Sequence, residues 1–390
     1  VGVATLAERR FRAHPDYEYV PFGQLSAHEQ RELADLLDDR QYSGILRPRP
    51  SSGLRAKAVC ADTAKLFVSL ADEGPLPLEF VQHLCDGGAD ELLDLVVGDV
   101  LQVWCDGFVS GPAAHHALGQ STAGDALDVG PLAALSLAAI RHAARLPIDD
   151  PVLLAAQLYF YNRIPITSRW RRRITSPADC LAYLGLADGA LAKFVDARWQ
   201  RTSDPQASTG WHSWTARQRA PRLRNPLTYK LYLSPTLEAL PETLAAAITV
   251  FAEEGINRFK VGRDLAGLAR PDKLVAYSSD FQRIERAGQR LADLLRDAPD
   301  HGVPFTAALS AGRLISWGLD PDPEAFDPSG TGSSWRTWIA TRLAIALIDA
   351  KKSGIRSIEP WRFALDRVAR DGIDTRSWTP TQIYDVKRSL

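Results

Sequence analysis

Apolar residues recur at helical spacing over residues 25–39 and 63–71, and again from Leu92 toward Cys105, where the pattern changes to alternation. Within 99–109 the Val, Leu and Trp positions alternate until Asp106-Gly107 interrupts them, which predicts a hairpin. Residues 1–130 therefore read as a mixed module of helices and a small hairpin. That arrangement fits a winged-helix-like docking unit, and equally a hairpin that merely covers the helices. Residues 131–200 are rich in Ala and Leu and are broken at Pro147, Pro151, Pro165 and Pro177, which predicts several short packed helices. The polar stretch 202–209, with Asp204-Pro205, reads as a linker closing a segment 131–209.

From residue 210 to 390 strand-like and helix-like runs mix. Residues 227–233 alternate, 238–253 form an amphipathic helix, Arg258–Gly262 and 273–277 are short strands, and 281–295 is again helical. A further strand at 314–317 and a long apolar helix over Trp335–Lys352 complete the expectation. The fold class is α+β: a helical N-terminal half with a small hairpin, then a mixed α/β C-terminal part.

Composition narrows the function classes. With 45% hydrophobic and 24% charged residues the chain has ordinary globular proportions, so it can bury a core. Its net charge of −1 gives no global field toward nucleic acid or an acidic membrane, so any anion site must be local. The four cysteines show no metal-binding or disulfide spacing, and a reducing, cytoplasmic compartment is the expectation. Residues 1–12 lack the apolar run of a signal peptide, and the apolar run 132–140 is too short to span a bilayer.

Strand alternation then arranges the candidate chemistry. In 227–233 it places Leu227, Tyr229, Leu231 and Leu233 on one face and Thr228, Lys230 and Tyr232 on the other. In Arg258–Gly262 it turns Phe259 and Val261 inward and Arg258 and Lys260 outward; in 273–277 it turns Leu274 and Ala276 inward and Lys273 and Tyr277 outward. Three strands each offer a lysine away from the core, either as a cationic platform or as solvated, edge-protecting charge. Two segments without any acidic residue add to this. One holds Arg217, Arg219, Arg222, Arg224 and Lys230; the other holds Arg163, Arg169, Arg171, Arg172 and Arg173. They are either solvated faces or the docking ground of an acidic segment of a peptide substrate.

In Trp335–Lys352, Arg342 shares a helical stripe with Trp335, Trp338 and Ile339, so its guanidinium needs an anion, a structural carboxylate or a phosphate. Arg336 sits one residue off that stripe. No GxxxxGK[ST], HExxH, GxSxG or GxGxxG occurs. Gly330-Thr331-Gly332-Ser333-Ser334 reads as a loop, and His115 and His116 as surface residues. His212, upstream of the basic strand, is the histidine best placed to meet it.

An ordered series of short motifs resembles the HopA-type type III effector family. The carriers are Tyr229-Lys230-Leu231-Tyr232-Leu233 with Ser234-Pro235, then Phe259-Lys260-Val261, then Arg270-Pro271-Asp272-Lys273-Leu274-Val275-Ala276-Tyr277. Gly302-Val303-Pro304-Phe305-Thr306, Ser316-Trp317-Gly318-Leu319-Asp320-Pro321 and the Ser334-Trp335 to Arg342-Leu343 helix follow. The resemblance covers about 228–347 and leaves the first 210 residues outside it. It implies a phosphoserine/phosphothreonine lyase working beside a kinase-like partner on a phosphorylated precursor peptide, as in lanthipeptide maturation. The alternatives are a non-catalytic phosphopeptide- or leader-binding partner and a secreted effector. Under the first implication Lys260 is the base, its pKa depressed by like charges such as Lys230, Lys273 and Arg263. His212 or Tyr277 is then the acid, and Lys230, Arg263, Arg270, Lys273, Arg336 and Arg342 hold the phosphate, with no metal or other cofactor required.

Overall fold

The computed structural model describes residues 8–33, 42–50, 52–83, 89–118, 130–202, 210–218, 227–321, 334–354 and 359–381. Residues 203–209 of the linker expected at 202–209, together with Arg219, Arg222 and Arg224 and with Gly330-Thr331-Gly332-Ser333, lie outside them. The chain is α+β, as its pattern predicts, and divides into two compact units. One comprises residues 1–124, 323–331 and 346–370; the other comprises 125–322, 332–345 and 371–390.

The first unit contains β1 (Arg10–Ala13), β2 (Tyr17–Pro21), β3 (Tyr42–Pro48), β4 (Lys57–Cys60), β5 (Gly74–Pro75), β6 (Leu101–Trp104) and β7 (Phe108–Val109). They form two sheets, of order β2-β3-β4 and β5-β1-β6-β7. The hairpin read from 99–109 is β6 and β7, with Val103 opposite Val109 and Trp104 opposite Phe108. Asp99 turns the chain into it with φ of 59° and accepts a hydrogen bond from Ser110 Oγ at 2.8 Å, which ties the two ends of the hairpin together. Alternation buries Phe11 and Val103 against Leu66 and Phe67 of the helix Ala61–Ser69 and Leu92, Leu93 and Val96 of the helix Ala89–Val97.

The second unit is built on β8 (Trp199–Thr202), β9 (Trp211–Ala216), β10 (Tyr229–Leu233), β11 (Arg258–Gly262), β12 (Leu274–Ser278), β13 (Ala307–Ala308) and β14 (Ile315–Leu319). These seven strands make one antiparallel sheet of order β13-β14-β10-β12-β11-β9-β8. Residues 199 and 200, read from sequence as the end of a helical segment, and Thr202, read as the start of the linker, belong to an edge strand instead. The helix Gly189–Arg198 stops where Trp199 turns extended, and the buried Trp199 indole donates to the Ile256 carbonyl at 3.2 Å. The boundary expected at 209 thus falls within a pair of neighbouring strands.

One face of this sheet is the core. Leu231, Leu233, Phe259, Val261, Leu274 and Ala276 pack on the helices Leu240–Glu253 and Phe281–Leu294, through Leu244, Ile248, Phe251, Ile284 and Leu291. Trp214 stacks on Phe259 with centroids 5.0 Å apart. The other face, read as open to solvent, is covered over much of its extent: all five residues of β10 are buried, and Tyr232, Val275 and Val303 form a second apolar cluster.

The helix Trp335–Lys352 begins on this second face. Trp335 lies across Gly318, where a Cβ would come within 2.6 Å of its Cδ1, so glycine is required for the close approach. The Trp335 indole donates to the Phe305 carbonyl at 2.9 Å. Phe305 has φ of 63°, a strained conformation for a residue with a side chain, and its own N–H donates to Ser136 Oγ at 2.8 Å. No helix among the described residues is long and apolar enough to cross a membrane.

Candidate functional site

The strand register assembles a cationic patch on the second face. Lys230 stands opposite Tyr277, Tyr277 opposite Arg258, Lys260 opposite Ser213, and Gly262 opposite Trp211, so directly paired residues from four strands share this side. The Arg258 guanidinium lies 4.1 Å from the Tyr277 ring centroid, and the Lys230 and Lys260 ammonium groups lie 5.6 Å from it. Trp211 carries two cations: Lys260 at 4.1 Å and Arg270 at 4.7 Å from its ring.

Behind the patch sits a buried carboxylate. Asp272 accepts from Arg270 Nε at 2.9 Å, from Arg270 Nη2 at 3.0 Å and from the Tyr159 hydroxyl at 3.0 Å, and Arg336 Nη1 lies 3.1 Å from it. Burial opposes its ionisation, but Arg336 and Arg270 override that and hold the carboxyl well below the usual range. Arg336, 1% exposed, also donates to the Pro304 carbonyl at 3.1 Å and to the Tyr159 carbonyl at 2.6 Å. A second carboxylate, Asp320, lies 2.6 Å from Lys230 Nζ and accepts the Trp335 backbone N–H at 2.9 Å.

Lys260 differs from these paired groups. Among the described residues it has neither an ion pair nor a hydrogen bond for its ammonium, only the two aromatic rings. Burial, then the charges of Lys230, Arg270 and Arg258, pull its pKa down to about 8, against the opposing pull of Asp272. Burial also lowers Lys230, although Asp320 offsets part of that. The same burial raises the Tyr277 hydroxyl well above its usual value, so it stays protonated as a donor. Among the described residues Lys230, Arg258, Lys260, Arg270 and Arg336 face two carboxylates, Asp272 and Asp320, so the patch carries a surplus of positive charge in a chain whose net charge is −1.

Of the residues singled out in the sequence, the structure brings Lys230, Arg258, Lys260, Arg270, Tyr277 and Arg336 into this cluster. It does not bring the others. His212 pairs with Val261 across β9 and β11, which puts its ring on the core side of the sheet, opposite to Lys260. There it is 2% exposed, with Nδ1 3.1 Å from Arg201 and its pKa pulled down to about 4 by burial and by Arg201. Arg263 lies just beyond the end of β11, and its charge is felt at His212.

Lys273 is fully buried at the far end of β12. Its ammonium donates to the Pro235 carbonyl and to His301 Nδ1, both at 2.9 Å, with Ser234 Oγ at 3.4 Å. Arg342 has its structural carboxylate, Asp371 at 3.2 Å, and lies 4.1 Å over the Trp338 ring. The lowered pKa of Lys260 therefore comes first from burial and then from Lys230, Arg270 and Arg258, rather than chiefly from Lys273 or Arg263.

Four participants escaped the sequence reading: Tyr159, Trp211, Asp272 and Asp320. Asp272 and Asp320 carry a local signal, since each lies within a short motif beside cations or before the helix they serve. Trp211 becomes visible once 211–216 is read as a strand. Nothing near Tyr159 in the sequence announces its role.

No family model matches the chain, and no curated protein matches it. Solved structures similar to it include effector proteins. The effector protein from Pseudomonas syringae pv. tomato strain DC3000 is 13% identical with a TM-score of 0.38, over 63% of this chain and 97% of that one. The effector protein from Pseudomonas syringae pv. syringae strain 61 is 13% identical with a TM-score of 0.39, over the same shares. The type III effector/phosphothreonine lyase OspF from Shigella flexneri is 11% identical with a TM-score of 0.25, over 33% of this chain and 75% of that one.

Proposed function

We propose that the cationic face removes phosphate from a phosphoserine or phosphothreonine residue of a polypeptide by β-elimination, as a step in the maturation of a ribosomally made, lanthipeptide-like precursor. The observation that supports this most directly is Lys260: a partly buried amine without a carboxylate partner among the described residues, its pKa pulled down to about 8, set among cations that suit a phosphate dianion.

In this reading the neutral Lys260 amine takes the α-proton. The electron pair left on Cα forms the Cα=Cβ bond as the Cβ–O bond breaks, and phosphate leaves with that bond's electrons. Lys230, Arg258 and Arg270 meet the charge that develops on the leaving group. Tyr277, protonated and on the same face, replaces His212 as the acid that returns a proton to it. The product is dehydroalanine or dehydrobutyrine, open to attack by a cysteine thiol. A kinase-type reaction must supply the phosphorylated residue.

A second reading has one observation in its favour. Arg270 and Arg336 are already engaged by Asp272, as befits a site that binds a phosphopeptide without converting it. Incubation with a phosphothreonine peptide, followed by mass spectrometry, separates the two. Elimination removes the mass of phosphoric acid and leaves a product that thiols trap, and Lys260→Met retains binding without conversion. Recovery of the intact phosphopeptide from the wild-type protein, bound but unchanged, overturns the lyase reading and leaves the binding one.

A further inference from the structure

We infer that the arginine ridge at 163–173 docks an acidic stretch of the same polypeptide whose phosphorylated residue enters the cationic face. The inference rests on the substrate reading above and extends it from one side chain to the sequence around it.

Arg163, Arg169, Arg171, Arg172 and Arg173 are all exposed, with no Asp or Glu between the first and the last. Among the described residues none of them forms an ion pair. Other arginines of this unit behave differently: Arg286 and Arg290 pair with Glu254, and Arg313 pairs with Asp300. A run of like charges left without carboxylates is repelled internally and gains from an external anion.

The ridge is fixed in place and adjoins the site. Trp170, 5% exposed, anchors the helix Ser168–Arg173 in the core and turns the arginines on either side of it outward. At the other end, Ile164 N–H donates to the Ala269 carbonyl at 2.8 Å and Arg163 Nη2 to the Ala266 carbonyl at 3.2 Å, which ties the ridge to the turn leading into Arg270. Phe160, 42% exposed, has Arg163 at 5.9 Å from its ring and Arg270 at 5.6 Å. Trp211, Arg270, Phe160 and Arg163 thus follow one another in contact, and Arg163 opens the segment that carries the rest of the ridge. An extended chain with its phosphate beside Lys260 can follow this track. The short ridge, with Phe160 as its exposed aromatic among the described residues, suits an acidic peptide better than a nucleic acid, which needs successive stacking platforms along a longer basic groove.

Two phosphothreonine peptides with the same core, one of them extended by oligoglutamate, test the proposal in both a binding and a turnover measurement. In the wild-type protein at low salt the extension lowers Kd and KM by about tenfold, within the range of electrostatically steered association, and high salt removes the gain. The triple variant Arg169→Glu, Arg171→Glu, Arg172→Glu loses the gain while turning over the short peptide as before, which also shows that it folds. Should that variant fail to fold, Arg171→Gln with Arg172→Gln and the salt dependence carry the same comparison. The proposal is overturned by an extension that brings no gain, by a gain that survives the variant, or by an oligonucleotide of equal charge that displaces the extended peptide through the same arginines. If neither peptide is converted, a ridge-dependent gain in binding sustains the docking surface while the lyase reading fails.

Discussion

Lys260 lies within one strand of the sheet and Lys273 immediately before another, and burial depresses both, to about 8 and about 7. Their surroundings make them different objects. Lys273 has a carbonyl, an imidazole nitrogen and a hydroxyl within hydrogen-bonding distance, and its neighbour His301 is held neutral, its pKa near 3, by burial and by the lysine's own charge. Such an ammonium is anchored. Lys260 has two aromatic rings and three like charges around it, and no acceptor among the described residues. A depressed pKa therefore does not by itself mark a reactive lysine: a fixed set of acceptors makes it structural, and their absence beside surplus positive charge leaves it ready to gain or lose a proton.

The largest effect separates the two residues directly. Lys260→Met is expected to lower elimination by about 10²–10⁴-fold, the range for loss of a positioned base, whereas Lys273→Met changes the rate of the folded protein only slightly. The wild-type pH profile adds a second readout. The base must be neutral, so kcat/KM rises with pH and levels off above about 8. A profile already flat through that region, or equal losses in the two variants, breaks the comparison.

Asp272 is the neighbour whose charge both lysines feel, raising the pKa of each. Asp272→Asn leaves Arg270 and Arg336 without their buried counter-charge and is expected to cost about 3–5 kcal/mol of stability in chemical denaturation, as for other broken buried pairs. In the fraction that remains folded, the plateau of the activity profile moves to lower pH. A variant as stable as the wild type would show that Asp272 does not organise the cluster.

Much of this arrangement is legible in the sequence, but not its partners. The alternation in Arg258–Gly262 gives that strand and the outward turn of Lys260, and the long helix is found with its bounds intact. Around β9 the pattern misleads. Trp211 and Trp214 are three residues apart, a helical spacing, and as a strand they place one tryptophan on each face and carry His212 to the core side. In Trp335–Lys352 the apolar stripe is a poor guide because the helix is buried on several sides. Arg336, one residue off the stripe, is more deeply buried than Arg342 on it. The pairing of Asp272 with Tyr159 and Arg336 joins segments far apart in the chain, and no local pattern encodes it.

The finest test concerns Lys273 alone. In the unfolded chain a lysine titrates near 10.5, and in the folded protein this one titrates near 7. Between those values the unfolded state binds more protons, so stability rises with pH by up to about 1.4 kcal/mol per unit. Below about 7 both states are charged and the penalty is fully developed; above about 10.5 both are neutral and it is gone. Lys260 adds a slope of the same sign from about 8 upward, so the difference between wild type and Lys273→Met, not the wild-type curve alone, isolates the anchored lysine. Urea denaturation at successive pH values should show the two proteins diverging from about 7, the wild type gaining on the variant. Parallel curves would mean that the acceptors around Lys273 fully replace its lost hydration, and the ground for treating the two lysines as alike in burial and different in partners would be lost.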